Sequence, residues 1–156
     1  LIEALKALPE TKRKEVSLNI VTSDTSQNKG LSKLLNKIPD LKYQLHKTIS
    51  NDSLSKLYAS SQLNILPSIS EDIFFEGFGI VHYEAIASGC LSVGSFNSGN
   101  TCAIDKGNGF LIHQNDYIAL KDLINKVIDG KLSTEPNGLK PKTWNYVVNT
   151  IKDNLE

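Results

Sequence analysis

The sequence predicts an α/β fold, a Rossmann-like open parallel sheet with helices on both faces. Short runs of strand character alternate with helical stripes from residue 1 to about residue 128, and such alternation builds βαβ units whose helices cover both faces of a parallel sheet. Proline or glycine closes many of the segments, at Pro9, Pro39, Pro67 and Gly89, which keeps each one short. A length of 156 residues with 40% apolar content suffices for one core and one domain, not two.

Taken in order, Leu1, Ile2, Leu5 and Leu8 recur at helical spacing up to Pro9, with no capping residue ahead of them, so an upstream segment is expected to be missing. Lys12-Arg13-Lys14 reads as an exposed turn before a strand at Val16–Val21. Leu31, Leu34, Leu35 and Ile38 give the next helical stripe, stopped at Pro39. Strand character returns at Tyr43–Thr48, helix at Ser53–Ser61 and strand at Leu63–Leu66, closed by Pro67. A loop from Ser68 to Phe78 leads into a helix over Ile80–Ser88, ended by Gly89, and then into a strand at Leu91–Phe96. After a turn-rich stretch with Gly99, Gly107 and Gly109, Phe110–Ile112 forms a small strand, and Ile118, Leu120, Leu123, Ile124, Val127 and Ile128 mark a helical face. Residues 130–142 read as a connector and residues 143–156, with Trp144, Val147, Val148, Ile151 and Leu155, as a terminal helix.

Charge and composition narrow the function. Seventeen basic residues balance seventeen acidic ones, which disfavours nucleic acid or an anionic membrane surface as partner. No apolar run approaches the roughly 18 residues of a bilayer span, and Leu1–Glu15 lacks a signal-peptide layout. Cys90 and Cys102 fit neither a disulfide framework nor a zinc site, so reduced thiols, a cytoplasmic location and no bound metal are expected. Cys90, just after a helix-stopping glycine, reads as a small core residue, whereas Cys102 lies in the glycine-rich loop. No G-x-G-x-x-G follows a strand, which argues against a dinucleotide oxidoreductase.

Ligands of open α/β sheets settle at the carboxyl ends of the strands, where the loop after Pro67-Ser68 begins. That loop ends Glu76-Gly77-Phe78-Gly79 and runs directly into a helix. Glycines there admit a ligand close to the backbone, and free amides at a helix N-terminus favour an anion. Glu84 follows roughly two helical turns later, so the two carboxylates reach different parts of one ligand and accept hydrogen bonds from its hydroxyls. A sugar nucleotide would use both. Ser68, at the strand end, suits either a phosphate or sugar contact or an ordinary turn. His46, His82 and His113 receive no role.

Glu76-Gly77-Phe78-Gly79-Ile80-Val81-His82-Tyr83-Glu84-Ala85, followed by Ala87-Ser88-Gly89-Cys90, resembles the paired-glutamate signature of retaining glycosyltransferase family four, the group-one glycosyltransferases with the two-domain GT-B fold. Leu57–Ser68 resembles the helix and strand that precede that signature, and Ser98-Gly99 through Asn108–Ile112 its glycine-rich close. Residues 1 to about 128 align in order with the C-terminal, donor-binding half of such an enzyme.

The resemblance implies transfer of a hexose from a nucleotide diphosphate sugar to a glycan, lipid or polysaccharide acceptor. Glu76 would be the catalytic residue and bond the donor sugar, the amides around Gly77, Phe78 and Gly79 would face sugar and diphosphate, and Glu84 would hold the ribose. Ser68, Ser98 and Gly99 complete the implied donor site. No metal or other cofactor is implied, because helix N-termini and basic side chains balance the leaving diphosphate.

The acceptor would bind through an N-terminal domain, which with a lipid acceptor leaves room for peripheral membrane association of a full-length enzyme. That domain lies outside this sequence, as do the Arg and Lys that the family places on the diphosphate, so the fragment alone is expected to be inactive. Ser98-Gly99 stands where the family has a glycine pair, and Cys102 near its usual acidic residue. The family also has a central strand between those at Val16–Val21 and Leu63–Leu66. Without it, these two strands are expected either to close up or to leave a gap. The alternatives are a sugar-nucleotide epimerase of the same fold and a non-catalytic nucleotide-sugar-binding module.

Overall fold

In the computed structural model, residues 1–22, 25–69, 79–96, 98–104 and 108–132 are described, with backbone alone at 25–28 and 102. Glu76, Gly77 and Phe78, most of the connector and the terminal helix expected at 143–156 lie outside the described residues. The chain runs α1 (Ile2–Ala7), α2 (Glu10–Arg13), β1 (Ser17–Thr22), α3 (Thr25–Leu35), β2 (Lys42–Lys47), α4 (Asn51–Ala59) and β3 (Leu63–Ile65). It continues with α5 (Ile80–Ala87), β4 (Leu91–Ser95), α6 (Asn100–Ala103), β5 (Gly109–Ile112) and α7 (Tyr117–Ile128).

Every described strand pair is parallel. β1 pairs with β2 from Ser17↔Lys42 to Thr22↔Lys47. β3 pairs with β4 at Leu63↔Leu91 through Ile65↔Val93, and β4 with β5 at Ser92↔Gly109 through Ser95↔Ile112. The strands thus form two groups, β1-β2 and β3-β4-β5, with no pairing between β1 and β3. A cavity of about 840 Å³ lies against both, lined by Leu18, Ile20, Leu63 and Ile65 of the strands and by Leu5 and Ile124 of the helices. Of the two outcomes expected for β1 and β3, closing up or leaving a gap, the gap is the one found.

Strand side chains alternate between faces, and the alternation in β4 sorts the helices. Val93 joins the apolar core with Ala4, Leu5 and Leu8 of the N-terminal segment and Leu120, Leu123 and Ile124 of α7. Ser92 and Gly94 point the other way, under α5 and α6: His82 bonds Ser92, and a Cβ on Gly94 would meet Asn100 Cβ at 2.8 Å. Helices therefore cover both faces.

Local chemistry sets the ends of these elements. Ser50 caps α4 by accepting from the Ser53 amide at 3.2 Å, and Asp116 caps α7 by accepting from the Ala119 amide at 2.9 Å. Pro9 ends α1 but also begins a second short helix, because its fixed φ of −54° suits an N-terminus. Lys12 and Arg13 therefore lie in α2 rather than in a turn, with Lys14 as its C-cap. Lys14 Nζ donates to Glu10 Oε1 at 2.6 Å one turn back, and Lys12 pairs with Asp129 at the end of α7. Leu34 departs from its expected stripe: α3 buries Leu35, and Ile38 beyond it, while Leu34 is 45% exposed. The four residues of α6 were not visible in the sequence, because one turn inside a glycine-rich stretch shows no periodicity.

Candidate functional site

Because β3 and β4 are parallel and α5 returns between them, the N-terminus of α5 stands at the carboxyl end of the sheet. Gly79 is its N-cap, buried, with φ 66° and ψ 43°. A left-handed conformation costs an L-residue roughly 1–2 kcal/mol, and space adds a second demand. A Cβ at Gly79 would lie 3.0 Å from His82 Cδ2 and 3.1 Å from Asn100 Oδ1. The turn that opens the helix is thus held between α5 and α6 and accepts only glycine.

Glu84 lies further along α5, is exposed and lines the cavity together with Tyr58 of α4. Burial first, and the nearby Glu84 carboxylate second, push the Tyr58 hydroxyl up to about 12, so Tyr58 stays a neutral phenol beside the carboxylate at any physiological pH. Ser88 Oγ donates to Glu84 O at 2.9 Å and lies 3.4 Å from Ser55 Oγ, tying α5 to α4. An exposed acidic acceptor one and a half turns from a helix N-terminus suits a ligand with hydroxyls at one end and negative charge at the other, although the cavity that Glu84 lines is the opening between β1 and β3 and Gly79 is not among its lining residues.

Ser68 is half-buried just past β3 and has an interaction partner. The Ser98 hydroxyl donates to Ser95 O at 2.8 Å and accepts from the Asn100 amide at 3.3 Å, so it shapes the turn into α6. Gly99 is the N-cap of α6 with φ −57°, a conformation open to any residue. Asn100, fully buried, points Nδ2 toward Leu66 O at 3.5 Å. Gly79, Ser98, Gly99 and Ser68 thus lie around the ends of β3 and β4, whereas Glu84, one and a half turns along α5, lines the cavity that those four residues do not line. Among the described residues, no group of three or more His, Cys, Asp or Glu side chains is placed to hold a metal ion, and no helix is long and apolar enough to cross a membrane.

The family model for glycosyl transferases group 1 matches residues 1–142. The chain belongs to the group 1 glycosyl transferases. No curated protein matches it. Within this group 1 glycosyl transferase domain, membership supports glycosyl transfer as the activity and binding of a donor and an acceptor.

Sequence reasoning missed His82 as a structural centre. It is fully buried, and its Nδ1 lies 2.7 Å from Ser92 Oγ, which also accepts from Asn64 Nδ2 at 2.9 Å. The signal was a polar residue in the middle of each of two short apolar strands, Leu63-Asn64-Ile65 and Leu91-Ser92-Val93, paired in register. His46 lies 2.9 Å from Asn19 Oδ1 across β1 and β2, and His113 rests on the ring of Phe96. Cys90 is buried as expected, and burial pushes its thiol up to about 11. The backbone of Cys102 lies in α6 rather than in an open loop.

Proposed function

We propose that the chain is the C-terminal, donor-binding half of a retaining family-four glycosyltransferase that moves a hexose from a nucleotide diphosphate sugar to a glycan, lipid or polysaccharide acceptor. The observation that carries this reading is the buried left-handed Gly79 at the entry to α5, with the exposed Glu84 one and a half turns along the same helix. Phosphate oxygens meet the free amides of the helix N-terminus, where the dipole favours negative charge. Glu84 accepts from the ribose hydroxyls. Glu76, Gly77 and Phe78 enter on the strength of the signature alone, with Glu76 as the catalytic residue on the donor sugar.

No metal takes part: the helix terminus, and the Arg and Lys of an upstream strand, balance the leaving diphosphate. The unpaired edges of β1 and β3 around the cavity support such a strand. An N-terminal domain brings the acceptor, the enzyme works in the cytoplasm, and with a lipid acceptor it rests against a membrane surface. This domain by itself is inactive.

The test is a transfer assay on the intact protein with UDP-, GDP- and ADP-hexoses, following nucleotide release and the anomeric configuration of the product by NMR. Transfer with retained configuration, lost in Glu76→Gln, is expected. Inverted product, or undiminished transfer in Glu76→Gln, contradicts the reading.

A further inference from the structure

Three polar side chains meet beneath the Gly79 turn, on the face of β4 opposite the main apolar core. Asn64 and Ser92 stand opposite each other on neighbouring strands, and His82 descends onto them from the first turn of α5. Asn64 Nδ2 donates to Ser92 Oγ at 2.9 Å, Ser92 Oγ lies 2.7 Å from His82 Nδ1, and Asn64 Nδ2 lies 3.5 Å from the same nitrogen. Ser92 and His82 are fully buried. Buried polar groups that are hydrogen-bonded to one another rigidify their surroundings, because breaking any link strands the others away from water.

The order of donors fixes the direction of the chain. An amide nitrogen only donates, so Ser92 Oγ accepts from Asn64. A hydroxyl oxygen can accept twice, so this bond alone does not set the Ser92–His82 direction; Asn64 Nδ2, which can only donate, also lies 3.5 Å from His82 Nδ1, and that nitrogen suits both neighbours only as an acceptor, with the Ser92 hydroxyl donating to it. The proton of the ring accordingly sits on Nε2. The ring itself reaches the turn: His82 Cδ2, next to Nε2, occupies the space a Gly79 side chain would need, beside a main-chain bond from the His82 amide to Gly79 O at 2.9 Å that does not depend on the side chain.

We infer that Asn64, Ser92 and His82 form a hydrogen-bonded relay that holds the imidazole as its Nε2–H tautomer, and that His82 is thereby the positioning residue for the Gly79 turn. What that turn would hold, the diphosphate of a nucleoside diphosphate, rests on the proposed function; the relay itself does not. A ring locked in tautomer and rotation sets the left-handed φ of Gly79, and through it the direction of the first amides of α5. An apolar residue of similar size would fill the space without fixing the orientation.

The experiment has two arms on the intact protein. The first uses histidine labelled with nitrogen-15 and two-bond proton–nitrogen spectra near neutral pH. His82 is expected to carry its proton on Nε2 with an unprotonated Nδ1, and Ser92→Ala is expected to mix the tautomers and shift the Gly79 amide resonance. A proton on Nδ1 in the wild type overturns the relay, and a Gly79 amide untouched by Ser92→Ala overturns the coupling to the turn. The second arm titrates UDP, GDP and ADP. For the diphosphate that binds, His82→Leu is expected to weaken affinity about tenfold and Ser92→Ala about threefold. His82→Gln, which carries an N–H at the Nε2 position, is expected to recover most of the loss. Equal affinity in wild type and His82→Leu contradicts the positioning role. Should His82→Leu fail to fold, Ser92→Ala decides. If none of the three diphosphates binds the wild type, the donor reading falls while the first arm still judges the relay.

Discussion

β4 and β1 are strands of five and six residues in the same kind of parallel ladder, yet β4 is buried at each of its positions and β1 is exposed at Ser17 and Val21. Around β4 the packing leaves no room: Gly94 lies under Asn100 and Ile104, and Gly109 lies against the Ser92 carbonyl. Around β1 the strand is paired on the β2 side and opens onto the cavity on the other. The β3-β4-β5 side therefore holds side chains in fixed places, and it is the side that carries Gly79, His82 and the Ser98-Gly99 turn. Precision at the candidate site follows from density beneath it.

The same small substitution should behave oppositely on the two sides. The largest effect is expected for Gly109→Ala, whose Cβ would lie 2.0 Å from Ser92 O. That oxygen belongs to the ladder backbone and has no way to yield, so a loss of about 3–5 kcal/mol, or failure to fold, should appear in urea denaturation. Gly94→Ala meets Ile104 Cδ1 at 2.7 Å, a side-chain end that can swing aside, and Asn100 Cβ at 2.8 Å, which moves only with its backbone, and about 1–3 kcal/mol is expected. Gly30→Ala, in α3 with nothing within 4 Å, should instead stabilise by about 0.5–1 kcal/mol, since alanine suits a helix interior. A destabilising Gly30→Ala would break the contrast.

The smallest effect concerns Cys90. With its thiol raised to about 11, the folded chain prefers the protonated form more than the unfolded chain does. This contribution is complete below about pH 9 and fades as the pH rises through the folded value. Alkylation by iodoacetamide at pH 8 should stay slow until denaturant is added, and rapid labelling of the native protein would show that the β4 side opens.

Most of the architecture was legible because its signal is local. The periods at Leu1–Leu8, Val16–Val21 and Leu63–Leu66 mapped onto α1, β1 and β3 within a residue or two. A split between β1 and β3 was one of the two outcomes expected, and it is the one found. What escaped depends on three dimensions. Leu34 and Leu35 are equally apolar, and only the roll of α3 decides which is buried. Pro9 stops one helix and starts the next, a double role that spacing does not reveal. Within the site, Glu84 and Gly79 were visible as a motif. The support from His82, Ser92, Asn64 and Asn100 was not, because those residues are far apart in sequence and each is ordinary on its own.

The central claim is that Glu84 and the Gly79 turn serve one ligand, a nucleotide sugar. Isothermal titration of UDP-, GDP- and ADP-hexoses into the intact protein and its Glu84→Ala variant tests it most directly. One of the three is expected to bind the wild type and to lose about 10- to 100-fold in Glu84→Ala, the cost of removing a charged acceptor from hydroxyl donors, with the melting temperature unchanged. Binding of that hexose nucleotide at undiminished affinity in Glu84→Ala, or no binding of any of the three to the wild type, would contradict it.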